Sequence, residues 1–589
     1  MKPGTPIKTT KQLSMKKLII VTSLLATLAG AGCNKLLEEE VKSILTPEFL
    51  GTERGVSAGV DAAYAGNRML WGNQDLFTLT VIGTDEFQRG VDGNTDVNNY
   101  SSNFTNGNGQ GNNIWTNCYK YINACNGVIK YAPPVDMDAN VKKVRIAEAK
   151  FLRAQYYSVL VQFWRDVTIT TDFLDQPVTA AKRDPLASVY ALMIKDLNEA
   201  IADLPAGPRS SGVQVGRTSS AAARHLLSKV YLAKAGSPAK EANDYEEAYK
   251  LAKDLIDKKS TYGLSLLPDF KDVHKEGNEN NTEVIWTVQH TANLIYNGPN
   301  NSGGADNVLN HMFIGQYDKL GMKRSKEYGR PYIRCVPTRW TTETAFAERI
   351  YDTRYAKTFQ TVWLANSTAK ADIENLKWPD PLPPGAPAGA VAGQPKIKKI
   401  GDTAIYMPGV DKTDQEIAVA PYLLMPPRTY SSQIAPTVMK YFDAKKAGLN
   451  DPSIRPVIVY RFAETYLIAA EAALMTNRIA EAVGYINAVR ERAASTGNVA
   501  NMRITNATLT ARGIDFILDE RTRELVGENM RWWDLVRTGK LLERVKLYNG
   551  DAAPNIQDKH ILRPIPLNQL NRTTTGDPYK NDLYFPAWN

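Results

Sequence analysis

Apolar residues recur along most of this chain at the three- and four-residue steps of helices that face a core. Leu186, Val189, Tyr190, Met193, Leu197, Ile201 and Leu204 keep that step. The spacing predicts a helix capped by Asp184, with Pro185 in its first turn and Pro205 just past its end. From Val144 to Trp164 (VRIAEAKFLRAQYYSVLVQFW) apolar positions cover nearly every face. That predicts a central buried helix whose polar remnant is Arg145, Glu148, Lys150 and Arg153. Two helix pairs share one plan: Thr218–Lys234 with Tyr245–Asp257, and Arg461–Met475 with Ile479–Arg492. Each is about one tetratricopeptide unit long and sets alanines where helices approach closely, Ala221 to Ala223 in the first and Ala469, Ala470, Ala472 and Ala473 in the second.

The pattern breaks between 260 and 440, where Gly, Pro, Asn and Thr dominate. Glu283–His290 (EVIWTVQH) alternates as a strand does. Asp380–Pro395 (DPLPPGAPAGAVAGQP) and the Asn/Gly-dense Gly90–Gly111 read as loops. The expectation is a mainly α protein, a tetratricopeptide-like helical-pair frame with long irregular loops and little strand. Its parts are a leader (1–32), an acidic tether (33–45), a helical part (46–260), a loop-rich, ligand-facing part (261–440) and a C-terminal helical part on the same body (441–589). Long loops on a rigid frame are where binding surfaces usually lie.

The front end is a different kind of pattern. Lys16 and Lys17 precede a twelve-residue apolar run, Leu18–Ala29. The run is short of the roughly 20 residues a spanning helix needs, and has the form of a secretory signal, with Met15 as an alternative start. Gly30-Ala31-Gly32-Cys33 resembles the lipobox of bacterial lipoproteins, although Gly30 stands where Leu is usual. That resemblance makes Cys33 the lipidation site, against a soluble secreted protein with a chance cysteine. Glu38–Glu40 resembles the tether that directs Bacteroidota lipoproteins to the outer face of the outer membrane. The leader also changes the charge. Of the formal +9, five lysines (Lys2, Lys8, Lys11, Lys16 and Lys17) lie before Cys33 with no acid, leaving +4 and no dense basic patch. Nucleic acid is not an expected partner. Cys118 and Cys125, seven apart in a helical pattern, are too far apart to bond each other, and Cys335 stands alone.

Chemistry is sparse. The five histidines hold no metal-ligand spacing, and there is no nucleophile elbow or phosphate loop. No cofactor and no enzyme activity are expected. Asp92, Asn94 and Asp96 alternate like the start of a calcium loop, but Val97 and Asn103 replace its glycine and bidentate glutamate, so an Asn/Asp turn network is the competing reading. Loop-borne rings are the better lead, since sugars stack apolar faces on them and direct hydroxyls to polar groups. The candidates are Trp71, Tyr100, Tyr296, Tyr332, Trp340 and Trp363, with Asp85, Glu86 and Asn98 as polar contacts. Core packing is the alternative for each. In DERTRELVGENMRWWDLVRTGK (Asp519–Lys540), Glu520, Glu524 and Glu528 step by four along an expected helix, with Arg521, Arg523, Arg531 and Arg537 around them. This predicts a charge network fixing a helix pair to the body. A glycosidase-like Glu/Glu pair is disfavoured, because arginine neighbours hold a carboxyl ionised and a general acid needs the opposite.

Several stretches resemble the SusD/RagB-like family of outer-membrane nutrient-binding lipoproteins. They are Ala147–Val167 (AEAKFLRAQYYSVLVQFWRDV), Gly216–Leu232 (GRTSSAAARHLLSKVYL), Val459–Leu474 with Ile486–Ala493, Asp519–Lys540, and Leu562–Leu570 (LRPIPLNQL). The resemblance implies a lipid-anchored surface protein that captures an oligosaccharide and delivers it to a SusC-like, TonB-dependent outer-membrane barrel. It carries across no ligand residues. A peptide ligand, a ligand-free helical scaffold and a surface glycan hydrolase remain as alternatives.

Overall fold

The computed structural model describes residues 46–293, 307–576 and Tyr579. The leader, Cys33, the glutamate triplet and Tyr296 lie outside the described residues. From Pro47 on, the described residues form one unit.

Its frame is a run of eight long helices: α1 (Glu53–Gly66), α2 (Gly109–Tyr131), α3 (Ala139–Trp164), α4 (Leu186–Asp203), α5 (Ser220–Ala235), α6 (Asp244–Asp257), α7 (Phe462–Met475) and α8 (Ile479–Arg492). Each packs on the next, including α6 on α7 across some two hundred intervening residues. The solenoid is continuous in space although the chain leaves it between α6 and α7. The alanines make this join: Ala248 and Ala252 of α6 meet Ala469, Ala470, Ala472 and Ala473 of α7, all buried in one cluster with Leu232 and Ile486. Burying that many small side chains lets the backbones close up, and the gain comes from apolar area removed from water. As its all-round apolar pattern implies, α3 is buried from Ala147 to Val161 with scarcely a break.

Two local expectations change. Asp184 does not cap α4. Its Oδ2 accepts from Ile169 N, while Asp166 Oδ1, from the preceding segment, accepts from Leu186 N. The Gly90–Gly111 stretch is not all loop: Thr95–Asn99 forms a short helix, and α2 begins at Gly109. Asn94 and Asn108 each cap a helix through side-chain oxygens, to Val97 N and Gly111 N, which is what asparagine does locally when no side chain follows to pack. Cys118 and Cys125 are buried along α2 and free.

The inserted part has little regular structure. Val284–Val288 pairs antiparallel with Val457–Arg461, the strands that leave and re-enter the solenoid. All five residues of the first strand are buried, so its sequence alternation does not divide core from solvent. Val362–Leu364, Thr403–Tyr406 and Leu423–Leu424 make a small three-stranded sheet over a separate core. After α8, α9 (Ile514–Leu525) and α10 (Arg531–Arg537) turn back against α7 and α5, respectively. Among the described residues no helix is long and apolar enough to cross a membrane.

Candidate ligand cavity

The rings expected on loops are mostly the interior of those loops. Trp363 is 1% exposed, in the core under the small sheet with Ile405 and Met407. Trp340 stacks on Tyr548 at 4.9 Å, with the Arg544 guanidinium over its face at 4.6 Å. Trp71 is buried edge-on to Trp533. Tyr100 donates its hydroxyl to Gly83 O, 2.8 Å away, and Asn98 Oδ1 accepts from Arg89 N at 2.9 Å. Asp85 accepts from Arg531 Nη2 and Arg544 Nε, both at 2.6 Å. Glu86 is buried beside it, and burial with the neighbouring Asp85 charge pushes its carboxyl up to about 7 against the pull of Arg531. A segment without regular structure must build its core from large side chains, and these seven residues do that. Tyr332 alone of the described candidates keeps partial exposure, lying between Arg330 and Arg334 with His311 4.8 Å from its ring. In the calcium-like stretch, Asn94 Oδ1 is taken by its capping bond, and Asp96 accepts from Ser101 Oγ at 2.6 Å.

The charge-rich segment is a junction of wider reach than one helix pair. Glu520 and Glu524 lie on α9, but the helix stops at Leu525, and Glu528 follows a turn through Gly527, whose φ of +79° suits glycine. Their partners come from elsewhere in the chain. Glu520 meets Arg354 and Arg490 at 2.8 and 2.9 Å; Glu524 meets Arg461 at 2.6 Å; Glu528 meets Arg461 and Lys440 at 2.8 and 2.6 Å. Arg521, Arg531 and Arg537 point into a second network, with Asp534, Asp85 and Glu471. Burial raises the carboxyl pKa values of Glu520, Glu524 and Glu528, yet the surrounding cations outweigh it and hold all three below the usual range, Glu524 at about 2. None is suited to donate a proton near neutral pH.

A sizeable cavity lies elsewhere. It is about 620 Å³, large enough for a ligand of several rings. One wall is a face of α1 and the turn after it, where Asp61, Tyr64, Ala65 and Arg68 recur at helical spacing. The other is Val215–Arg217 and the strand Trp286–Val288 with the residues after it. The walls are pinned together. Trp286 Nε1 donates to Gly216 O at 3.0 Å. Gly216 has φ +87°, and a Cβ there would meet the Gln289 side chain at 2.5 Å, so this turn needs glycine. Arg217 follows, with its guanidinium over the Tyr64 ring at 4.9 Å and ion pairs to Glu148 and Asp61. Tyr64 donates to Glu148 Oε1 at 3.0 Å and accepts from Thr218 N at 2.9 Å. Burial works against the Arg217 charge, but Glu148, Tyr64 and Asp61 outweigh it and raise its pKa. His290 Nε2 lies 3.2 Å from Trp71 O, holding the far end. The cavity therefore has rigid walls, apolar stretches from alanine and valine, and a few fixed polar groups, the composition of a small-molecule site. Sequence reading missed Asp61, Tyr64 and Arg68; their i, i+3, i+7 spacing was the available signal.

Two family models match the chain, one described as the SusD family over residues 413–584 and one as starch-binding associating with outer membrane over 60–232. SusD-like protein P2 of Formosa agariphila is 26% identical over 575 residues, covering 95% of this chain and 98% of that one. The chain belongs to the SusD/RagB-like family. The fold agrees. A SusD homolog from Bacteroides thetaiotaomicron superposes with a TM-score of 0.69 at 19% identity, over 92% of this chain and all of that one. Surface glycan-binding protein A of the same organism, in complex with laminarihexaose, gives 0.61 at 20% identity over 89% and 98%. The stretches matched by the SusD-like models include both the α1 wall of the cavity and the junction around α9.

Proposed function

We propose that this SusD-like protein is a surface nutrient-binding lipoprotein that captures an oligosaccharide in the cavity between α1 and the Trp286–Val288 strand and delivers it to a TonB-dependent, SusC-like barrel. The observation that carries the reading is the cavity itself, ligand-sized and rigidly walled, in a chain whose relatives include a glycan-binding protein solved with laminarihexaose. Binding here needs no covalent chemistry. Gln289 offers a polar group for hydroxyls, and the alanine and valine stretches offer surface for the apolar faces of sugar rings. In this reading Cys33 carries the lipid, and the acidic stretch after it leaves the body free at the outer face of the outer membrane.

Calorimetric titration of the purified full-length protein with a panel of oligosaccharides and of peptides tests the ligand class. Saturable oligosaccharide binding that is lost in Tyr64→Ala supports the proposal. Binding of peptides alone would move the protein to the peptide-binding alternative. Gentle solubilisation of native outer membranes tests the partner: a large barrel in near-equal amount is expected, and its absence from membrane-bound protein would sink the delivery role. Cys33→Ser should release the protein from membranes.

A further inference from the structure

The charges around the cavity do not balance. Asp61 is answered by Arg217, and Glu148, behind the wall, by Arg217 and by Arg145 at 2.8 Å. Arg68, seven residues on from Asp61 and on the same side of the helix, stands apart. Among the described residues no carboxylate pairs with it, and its Nε is shielded from water without a hydrogen-bond partner. Its near neighbours are Tyr121 and Tyr156, and the Tyr156 hydroxyl is already engaged, donating to Ala63 O at 2.6 Å and accepting from Asn67 Nδ2 at 3.0 Å. Arg165 and Arg209 are likewise half-buried without a carboxylate partner, but neither lines this cavity, whereas Arg68 keeps a cation beside it with a donor unspent. The position is tolerated because Arg68 lies just past the C-terminal end of α1, where the helix carries partial negative charge without consuming side-chain donors.

We propose that the cavity selects oligosaccharides bearing an anionic group, a carboxylate or a sulfate, which accepts from the Arg68 guanidinium. This rests on the oligosaccharide reading above and adds the substrate class. The argument is electrostatic. A guanidinium is a planar fork matched to two oxygens of one anion. As a ligand displaces water from the cavity, an unanswered positive charge becomes harder to keep, and an anion in the same place becomes worth more. A neutral diol can accept from the fork but leaves the charge unanswered.

The test uses matched pairs. The full-length protein is titrated with oligouronates and their carboxyl-reduced, neutral counterparts, and with sulfated oligosaccharides and their desulfated counterparts. The same titrations are run on R68Q and R68K, with thermal melts to show that each is folded. A hydrogen bond to a charged group predicts that at least one charged series binds about tenfold or more tighter than its neutral partner. R68Q should erase that difference by weakening the charged series more than its neutral partner, with R68K between. Which series responds tells carboxylate from sulfate. Equal binding of charged and neutral partners, or an equal loss of both in R68Q, overturns the anionic subsite and leaves the oligosaccharide reading standing. Binding of no oligosaccharide, charged or neutral, overturns both.

Discussion

The junction around α9 and the wall of the cavity are built from the same two residue types and use them in opposite ways. At the junction Arg354 and Arg461 are 0% and 1% exposed, and each touches more than one carboxylate: Asp352, Glu520 and Glu524 for the first, Glu283, Glu524 and Glu528 for the second. With the two arginines these residues come from four separate stretches of chain, so the network ties the inserted part, the strand pair and the α9 segment together. At the cavity Arg217 is paired in the same manner, but Arg68 is not. An arginine whose donors are all met by carboxylates is accounted for by the fold. One left unmet beside an open volume is not, and asks for something from outside.

The comparison breaks most directly at Arg461. Arg461→Met removes a fully buried cation and leaves Glu283, Glu524 and Glu528 facing one another with Arg354, Lys440 and Arg492 still against them. Breaking a buried pair in this way costs about 3–5 kcal/mol. Thermal or urea unfolding of the purified variant should show a loss of that size, and a loss under about 1 kcal/mol would mean the network is dispensable to the fold.

Acid should weaken the body next. Burial holds His274 and His560 at about 4 and His311 at about 3. Their folded values lie below the unfolded value near 6.5, so the unfolded chain takes up protons first, and stability present above pH 6.5 is lost as pH falls toward 4. Glu524, held at about 2, extends the loss below pH 4.5. Glu86, raised to about 7, works the other way, since its contribution is lost as pH rises through 7. Asp75, raised to about 6 by burial, also works the other way, while burial lowers His225 as well; four histidines against two carboxyls between pH 4.5 and 6.5 predict a lower melting temperature at pH 4.5 than at pH 7. A melting temperature that is flat or rising across that interval would contradict the assignment of these histidines as buried and neutral.

Much of the fold was legible because helix periodicity is local. The α4 spacing, the all-round apolar α3 and the two alanine-rich pairs are each visible within some twenty residues. The continuity of the solenoid across α6 and α7 was not, since nothing in Asp244–Asp257 or Phe462–Met475 says which distant helix its alanines will meet. The same limit explains the misplaced aromatics. Trp340 and Trp363 stand in stretches rich in Gly and Pro, which reads as surface, yet an irregular segment of nearly two hundred residues needs an interior of its own, and they supply it. The arginines of Asp519–Lys540 were recognisable as ion-pairing residues, but their partners at Asp85 and Glu471, and the arginines at 354 and 461 that answer the glutamates, are set by tertiary structure alone.

A smaller effect separates a cap from a cation site. Asn94→Ala removes the bond to Val97 N and should cost about 1 kcal/mol by thermal unfolding. Millimolar calcium should leave the melting temperature of the unaltered protein where it is. A rise with calcium that disappears in Asp92→Asn would give this turn a ligand and place a second unmet demand on the surface.

The smallest expected effect sharpens the comparison most. R68Q deletes a charge that no carboxylate of the described residues pairs with, so no buried partner is orphaned and no ion pair is lost. What it gives up is a favourable position past the end of α1; what it recovers is the cost of keeping a guanidinium half out of water. The two oppose, and the net change in stability should lie within about 0.5 kcal/mol of zero, as for substitutions that touch no network. Arg217→Gln, one wall away and paired to Asp61 and Glu148, should cost clearly more. If unfolding instead ranks R68Q with R217Q or Arg461→Met, then Arg68 holds the fold together as the others do, and the distinction between arginines that serve the structure and one that awaits a ligand collapses.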